Sequence, residues 1–473
     1  MGRVSTRAGL FLLVVALMCG CVRAISPSTP RDASPHVDSS SDSPVFLDAS
    51  STCIEGDPCD DDDPCTDNDR CAAGRCLGEE QSGFCRDRSF GSGGMAIISD
   101  GEVSNGNFAL GAMAIQDDGC IVVGGMGGSA DDPDFLVARL TSEGVLDPSF
   151  AQDGKLLIGI QRNDQVKALV LTPSGSIVVV GAVDGQMGVA EIDSAGVLNP
   201  SFGQGGKLYL DVTGGLANTL VRAPDGKLLL GGHARQATGQ PVGLTLTRLE
   251  STGKLDLSFN QAGWLHQDYA RDTFGGWVVR DAMGLLYLAG NRIGLSGSTR
   301  DVVISRYLPD GMLDMSWAQA GHYVEDLPGE ESITTPIIGP GDTLYLVGIT
   351  EGPEDLQGFI TRLQGGALDP TFGVQGRQLL SGPYDVKLHA ALLRPDGRLW
   401  VGGGVTDANG NKDVLLTILD TDGNVLATET MDLEFDDEMI WQLVAGPGDA
   451  IYAKAHVNDG VQEHITILRF YDR

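Results

Sequence analysis

Histidine, aromatic side chains and positive charge are all scarce in this chain. Seven histidines are scattered through 473 residues, and none is spaced as a metal-ligand pair. Neither a His-Glu-x-x-His helix nor a Gly-x-Ser-x-Gly elbow occurs, so the motifs of zinc hydrolases and of serine hydrolases are both missing. Lysine and arginine total 32 against 64 aspartates and glutamates, a formal net charge of −32. That balance excludes a nucleic-acid surface, which requires a basic stripe. It also repels an anionic membrane face, so membrane attachment requires a lipid. Charged residues make up 20% and aromatics 6%. Glycine is the abundant residue: 66 of them is about twice the usual share of ~7%. Such a composition predicts short strands joined by tight turns, not helices.

The first twenty residues read as an export signal. Arg3 and Arg7 form a basic start, and residues 9–18 are an apolar run too short to span a bilayer comfortably. The run ends in Leu17-Met18-Cys19-Gly20-Cys21. A small residue before cysteine resembles the lipobox of bacterial lipoproteins, which implies acylation of Cys21 and an outer-membrane or surface location. Ordinary cleavage after Val22-Arg23-Ala24 and free secretion is the alternative. Residues 21–52 are rich in Ser, Pro and Asp and poor in large apolar groups. They cannot bury enough surface to offset their ordering entropy and are expected to form a disordered tether.

Nine cysteines are distributed unevenly, six of them between residues 53 and 85: Cys53, Cys59, Cys65, Cys71, Cys76 and Cys85. Together with export, this density predicts a small module stapled by three disulfides, with fifteen connectivities open. Zinc is disfavoured because the segment has no histidine and no Cys-x-x-Cys pair. The run from Cys59 to Cys71 resembles short cysteine-rich repeats of secreted bacterial proteins. Its aspartates 60–63 read as a solvated acidic loop, with calcium as the alternative. Cys120 is left over from the pairing.

From residue 89 onward the chain repeats itself. Asp147-Pro-Ser-Phe150 returns as Asn199-Pro-Ser-Phe202, Asp256-Leu-Ser-Phe259, Asp314-Met-Ser-Trp317 and Asp369-Pro-Thr-Phe372, with Arg88-Ser-Phe90 as a degenerate copy. The aromatic recurs every 52 to 60 residues. Each unit carries four strand-like runs, a Gly turn such as Asp225-Gly226 between the first two, and often an Arg closing the third: Arg139, Arg248, Arg306, Arg362 and Arg469. Four antiparallel strands in a unit of this length make a propeller blade. The signature, clearest between Asn199 and Gly232, resembles the delta-60 bacterial propeller repeat and covers residues 89–473. Seven inner-strand runs predict seven blades. The chain ends on a third strand, so residues 94–98 are expected to supply the fourth strand of the last blade and leave no open edge. The expected organisation is a signal peptide (1–20), a tether (21–52), a cysteine module (53–85) and an all-β, seven-bladed propeller of four-stranded antiparallel blades (89–473).

Features shared by all blades serve the blade, so function is sought where one blade departs from the rest. Trp277 is such a departure, since its equivalents are small or polar. It is expected to line the channel mouth, either packing between blades or contacting a ligand. Asp407, Asn409, Asn411 and Asp413 alternate in one loop and offer oxygen ligands of the kind Ca²⁺ takes. The Asn-Gly inside this loop also reads as an ordinary hairpin turn, and no glutamate follows at EF-hand spacing. The glycine-rich 201–207 stretch leads into a strand and lacks the Gly-Lys-Ser/Thr order of a phosphate loop. No catalytic motif and no obligatory cofactor emerges. The reading is a non-catalytic binding or scaffolding protein on the bacterial surface, its partner a protein or glycan. The alternative is a propeller hydrolase or lactonase using metal-bound carboxylates at the channel; a self-associating surface layer is a third.

Overall fold

The computed structural model describes Gly56, Asp63 and residues 65–72, 75–80, 84–98, 112–129, 131–210, 215–237, 239–294, 299–325, 329–458, 460 and 463–472. The signal segment, the tether, Cys21, Cys53 and Cys59 lie outside the described residues. No helix among the described residues is long and apolar enough to cross a membrane.

The strands form seven antiparallel blades. Blade three is representative: Gly215–Arg222, Leu228–Arg235, Val242–Leu249 and Trp264–Gln267 pair in that order from inside to outside. The middle strands are apolar on both faces because each blade is covered on both sides. Leu228, Leu230 and Leu249 face blade two, whereas Leu229, Leu244 and Leu246 face blade four. The buried side chains accordingly divide into seven clusters, one at each seam, and the seventh joins blade seven back to blade one. The fourth strand of blade seven comes from the N-terminal side. Met95–Ile98 pairs antiparallel with Glu463–Tyr471, with Ala96 opposite Ile467. The ring therefore closes as the repeat count requires.

The recurring Asp, Ser and aromatic residues, together with the Arg closing strand three, form one staple used five times. Arg248 shows the pattern: its Nε donates to Asp256 Oδ2 at 2.6 Å, and its guanidinium lies 4.6 Å from the centre of the Phe259 ring. Asp256 Oδ1 accepts the amide and the hydroxyl of Ser258. Another guanidinium nitrogen donates to Pro309 O in the next blade. Arg139, Arg306 and Arg362 repeat the pairing with Asp147, Asp314 and Asp369. Burial alone would raise Asp147, Asp256 and Asp314, but hydrogen bonds hold all three below the usual carboxylate range, from Lys227 first at Asp256 and from serine and guanidinium at each. In blade four the arginine finds a different acceptor. Arg306 donates to both oxygens of Asp342, which stands in the Gly341-Asp342 turn of blade five, where other blades have an Asp-Gly order such as Asp225-Gly226.

Blade seven lacks its own Asp-Ser-aromatic box, and the N-terminal strap supplies it. Arg469 Nε donates to Asp87 Oδ2 at 2.7 Å, stacks 4.7 Å from Phe90, and reaches Ser142 O of blade one. The degenerate copy at 88–90 is thus the missing copy of the last blade. Immediately upstream, Cys85 pairs with Tyr471, and Phe84 packs edge-on against Trp400 of blade six. Cys65 is disulfide-bonded to Cys85. Cys71 and Cys76, on the hairpin of Thr66–Ala72 and Arg75–Glu80, are also engaged in disulfides. Cys120 is fully buried in blade one.

Candidate functional site

The inner strands do not run straight past the axis. In blades two to seven, each carries a bulge that inserts one residue with no partner in the ladder: Lys167, Asn218, Gly276, Thr334, His389 and Trp441. A bulge re-aims the side chain it frees, and this position is different in every one of these six blades. The residue after the bulge faces the seam. Thr219 Oγ1 accepts Val278 N and donates to Gly276 O, Thr335 Oγ1 donates to His389 O, and Gln442 exchanges two hydrogen bonds with Met113.

Trp277 occupies that second position in blade four. Its indole packs with the buried cluster between blades four and five and also lines the axial space. Gly275 beneath it has no room for a side chain, because a Cβ there would meet the indole. Gly276, with φ +82°, lies so close to Gly232 O that it must also be glycine. The tryptophan takes the space that two glycines leave.

All seven inner strands contribute to one axial cavity of about 580 Å³. Its described lining contains no carboxylate. Leu169, Leu220, Val278 and Ile333 supply apolar wall, and Phe274, Trp277 and Trp441 supply aromatic surface. His389 stacks on Trp441 with ring centres 4.1 Å apart. Burial, and then the charge of Lys387, push the His389 imidazole down to about 4, so it is neutral at physiological pH. Burial also pushes the Lys167 ammonium down to about 8. Lys454 stands behind the lining, replacing the small or apolar residues of the other blades. It is lowered to about 7 by burial and by the charge of Lys167. Trp277 stands out in the sequence, whereas Lys167, His389 and Trp441 do not. The missing signal was the bulge: aligning blades on the second position concealed the variation at the first.

The proposed calcium loop is organised differently. Asp407 Oδ1 accepts the amides of Asn409 and Asn411 at 2.7 and 2.9 Å, and its Oδ2 accepts Asn409 Nδ2. These contacts build the turn. Asp413 lies instead with Asp432 and Glu438, three carboxylates with oxygens within 4.8 Å of one another at the junction of blades six and seven. Burial, opposed by the Leu433 and Phe435 amides and reinforced by Asp432 and Asp413, pushes Glu438 up to about 7. Asp413 is raised by burial, Asp432 and Asp407. The cluster is not among the residues lining the axial cavity.

Among solved structures, the chain resembles Drosophila Semaphorin 2a at 10% identity, covering 78% of this chain and 75% of that one, with a TM-score of 0.47. It also resembles the polysaccharide lyase Uly1 (11% identity, 78% and 93% covered, TM-score 0.45) and a glucose dehydrogenase (14%, 64% and 95%, TM-score 0.40). No curated protein sequence matches. A family described as a domain of unknown function (DUF5122) β-propeller matches residues 116–150 and 223–259, which fall in blades one and three. With seven four-stranded blades closed into a ring, the chain is a β-propeller.

Proposed function

We propose that this protein is a non-catalytic binding protein of the delta-60 repeat lipoprotein type, carried to the bacterial surface and held there through an acylated Cys21, with the axial cavity as its binding site. One observation carries the reading. The cavity is ringed by residues that differ from blade to blade, aromatic and polar, with no carboxylate among its described lining. A largely apolar concavity with a few polar groups is the form a binding site takes. The acylation signal and the disulfides of the N-terminal module fit an exported protein. Mass spectrometry of the membrane-extracted chain tests the anchor: a diacylglyceryl addition on Cys21, lost in Cys21→Ala with release of the protein, is expected. Filling the cavity with Thr334→Trp tests the site, because ligand capture should fall while the fold persists.

The Asp413, Asp432 and Glu438 cluster favours a second reading, a metal-dependent hydrolase or lactonase. Three carboxylates within 4.8 Å suit a hard cation such as Ca²⁺. Against it, Glu438 already accepts the Leu433 and Phe435 amides on Oε1 and Leu433 again on Oε2. Thermal melting with millimolar Ca²⁺ and after chelation separates the readings, since a site held at about a hundred times its Kd adds ~2.7 kcal/mol.

A further inference from the structure

The polar groups of the axial cavity fall into two sets. Most are consumed by contacts between blades. Asn218 Nδ2 donates to Gly275 O, Thr334 Oγ1 to Val347 O and Leu388 O, and Asn291 Nδ2 to Ser332 and Ile333. These groups have little left to offer a ligand. Lys167 is different: among the described residues its ammonium has neither an ion pair nor a hydrogen bond, although it faces the cavity. Trp441 Nε1 is likewise a buried N–H with no acceptor. The uncommitted charge and the uncommitted hydrogen are both donors, in a protein of net charge −32 whose described cavity lining lacks a carboxylate.

That pattern specifies an acceptor, and a negative one. A partly buried ammonium without a counter-ion costs free energy that an incoming anion recovers. A neutral sugar would need many hydrogen-bonding groups, and the cavity holds few that are free. The rest of the wall is aromatic or aliphatic, so the body of the ligand must be apolar and flat enough to lie among Phe274, Trp277 and Trp441. Lys454, buried behind the lining and lowered in part by the charge of Lys167, places a second basic group in the same region.

Resting on the reading of the cavity as the binding site, we propose that its ligand is a small aromatic carboxylate, with the carboxylate on Lys167 Nζ and the ring among Trp277, Phe274 and Trp441. The volume of about 580 Å³ accommodates one or two fused rings.

The test is calorimetric titration of the full mature chain with 2-naphthoate and with its neutral isostere 2-naphthamide, followed in parallel by tryptophan fluorescence. Lys167→Met keeps an unbranched side chain one atom shorter and removes its charge. A charge-assisted hydrogen bond is worth ~1.5–3 kcal/mol, which corresponds to a loss of about tenfold or more. The naphthoate is therefore expected to bind the unaltered protein at least tenfold more tightly than the amide, and the two to bind Lys167→Met equally. Equal affinities for acid and amide in the unaltered protein, or undiminished naphthoate binding in Lys167→Met, would overturn the anionic ligand and leave the cavity as a binding site. Absence of binding by either probe, with no fluorescence change, would overturn the cavity reading as well.

Discussion

The ring is closed without a covalent bond between blade seven and its outermost strand, so the Asp87 to Arg469 contact is the place to break it. Asp87 is 1% exposed and accepts five donors: Arg469 Nε and Nη2, the Tyr471 hydroxyl, and the amide and hydroxyl of Ser89. Asp87→Ala leaves all five donors without this acceptor and the guanidinium partly buried. Removing one partner of a buried pair costs ~3–5 kcal/mol. Arg469 keeps the Ser142 carbonyl and the face of Phe90, which places the expected loss at the lower end, about 3 kcal/mol. With an m-value near ~3 kcal/mol/M for a chain this long, the urea midpoint should fall by about 1 M. The reasoning makes a second demand. Because most of the cost is a stranded cation, the double variant Asp87→Ala, Arg469→Met should be less destabilised than the sum of the two single variants, by at least ~1 kcal/mol. A midpoint shift of Asp87→Ala under ~0.2 M, or strict additivity in the cycle, would refute the view that this contact closes the ring.

Three further outcomes follow from buried groups elsewhere. Glu438 has a folded-state pKa of about 7 against an ordinary 4.5, so its favourable contribution is complete below pH ~4.5 and is lost as pH rises through 7. Urea midpoints of Glu438→Gln and the unaltered protein should coincide near pH 4.5 and diverge at pH 8, where the glutamine variant is more stable by ~1–3 kcal/mol; a less stable variant at pH 8 contradicts the cost of burying this charge beside Asp432 and Asp413. Cys120, fully buried in blade one, should resist iodoacetamide in native buffer and be alkylated in guanidinium without reductant, as peptide mapping would reveal; native labelling would show that blade one opens. Opening the Cys65 to Cys85 bridge, which spans a separation of 20 residues, removes ~3 kcal/mol of constraint from the N-terminal hairpin. Trypsin should then cut at Arg70 and Arg75 while Phe84 stays on Trp400 and the propeller midpoint moves by less than ~1 kcal/mol.

The architecture was legible because every blade must solve the same burial problem with the same residues. Four strands with the middle pair apolar on both faces, a glycine at tight turns and an Asp-Ser-aromatic box recur about every 55 residues, and repetition turns a weak local signal into a strong one. The closure was legible for a related reason: a repeat that ends on its third strand needs a fourth from elsewhere. Less of it could be read where the repeat was incomplete. Arg88-Ser-Phe90 looked degenerate because the copy was counted from the arginine, whereas its working acid is Asp87, whose arginine stands 382 residues away.

The site was harder to read, and the obstacle is geometric. Strand periodicity assigns alternate residues to opposite faces, and one inserted residue shifts the register of everything beyond it. Trp277 stood out because its chemistry differs sharply from Thr219, Thr335 and Gln442, which use the same position to fasten one blade to the next. Lys167, Thr334, His389 and Trp441 sit one residue earlier, where the sequence alone gives no reason to expect an exception to alternation. The loop at 407–413 poses the opposite difficulty. Its alternating oxygens matched a metal template, but short Asp and Asn side chains are as well suited to bonding their own backbone two residues on. Asp407 does so twice, which leaves Asp413 to the carboxylates of a neighbouring strand and turn. In this propeller the repeated positions hold the ring together, and in blades two to seven the bulge leaves one inner-strand residue outside the ladder. Variation is tolerated there because the ladder does not depend on it, and the axial cavity is lined by side chains that differ from blade to blade.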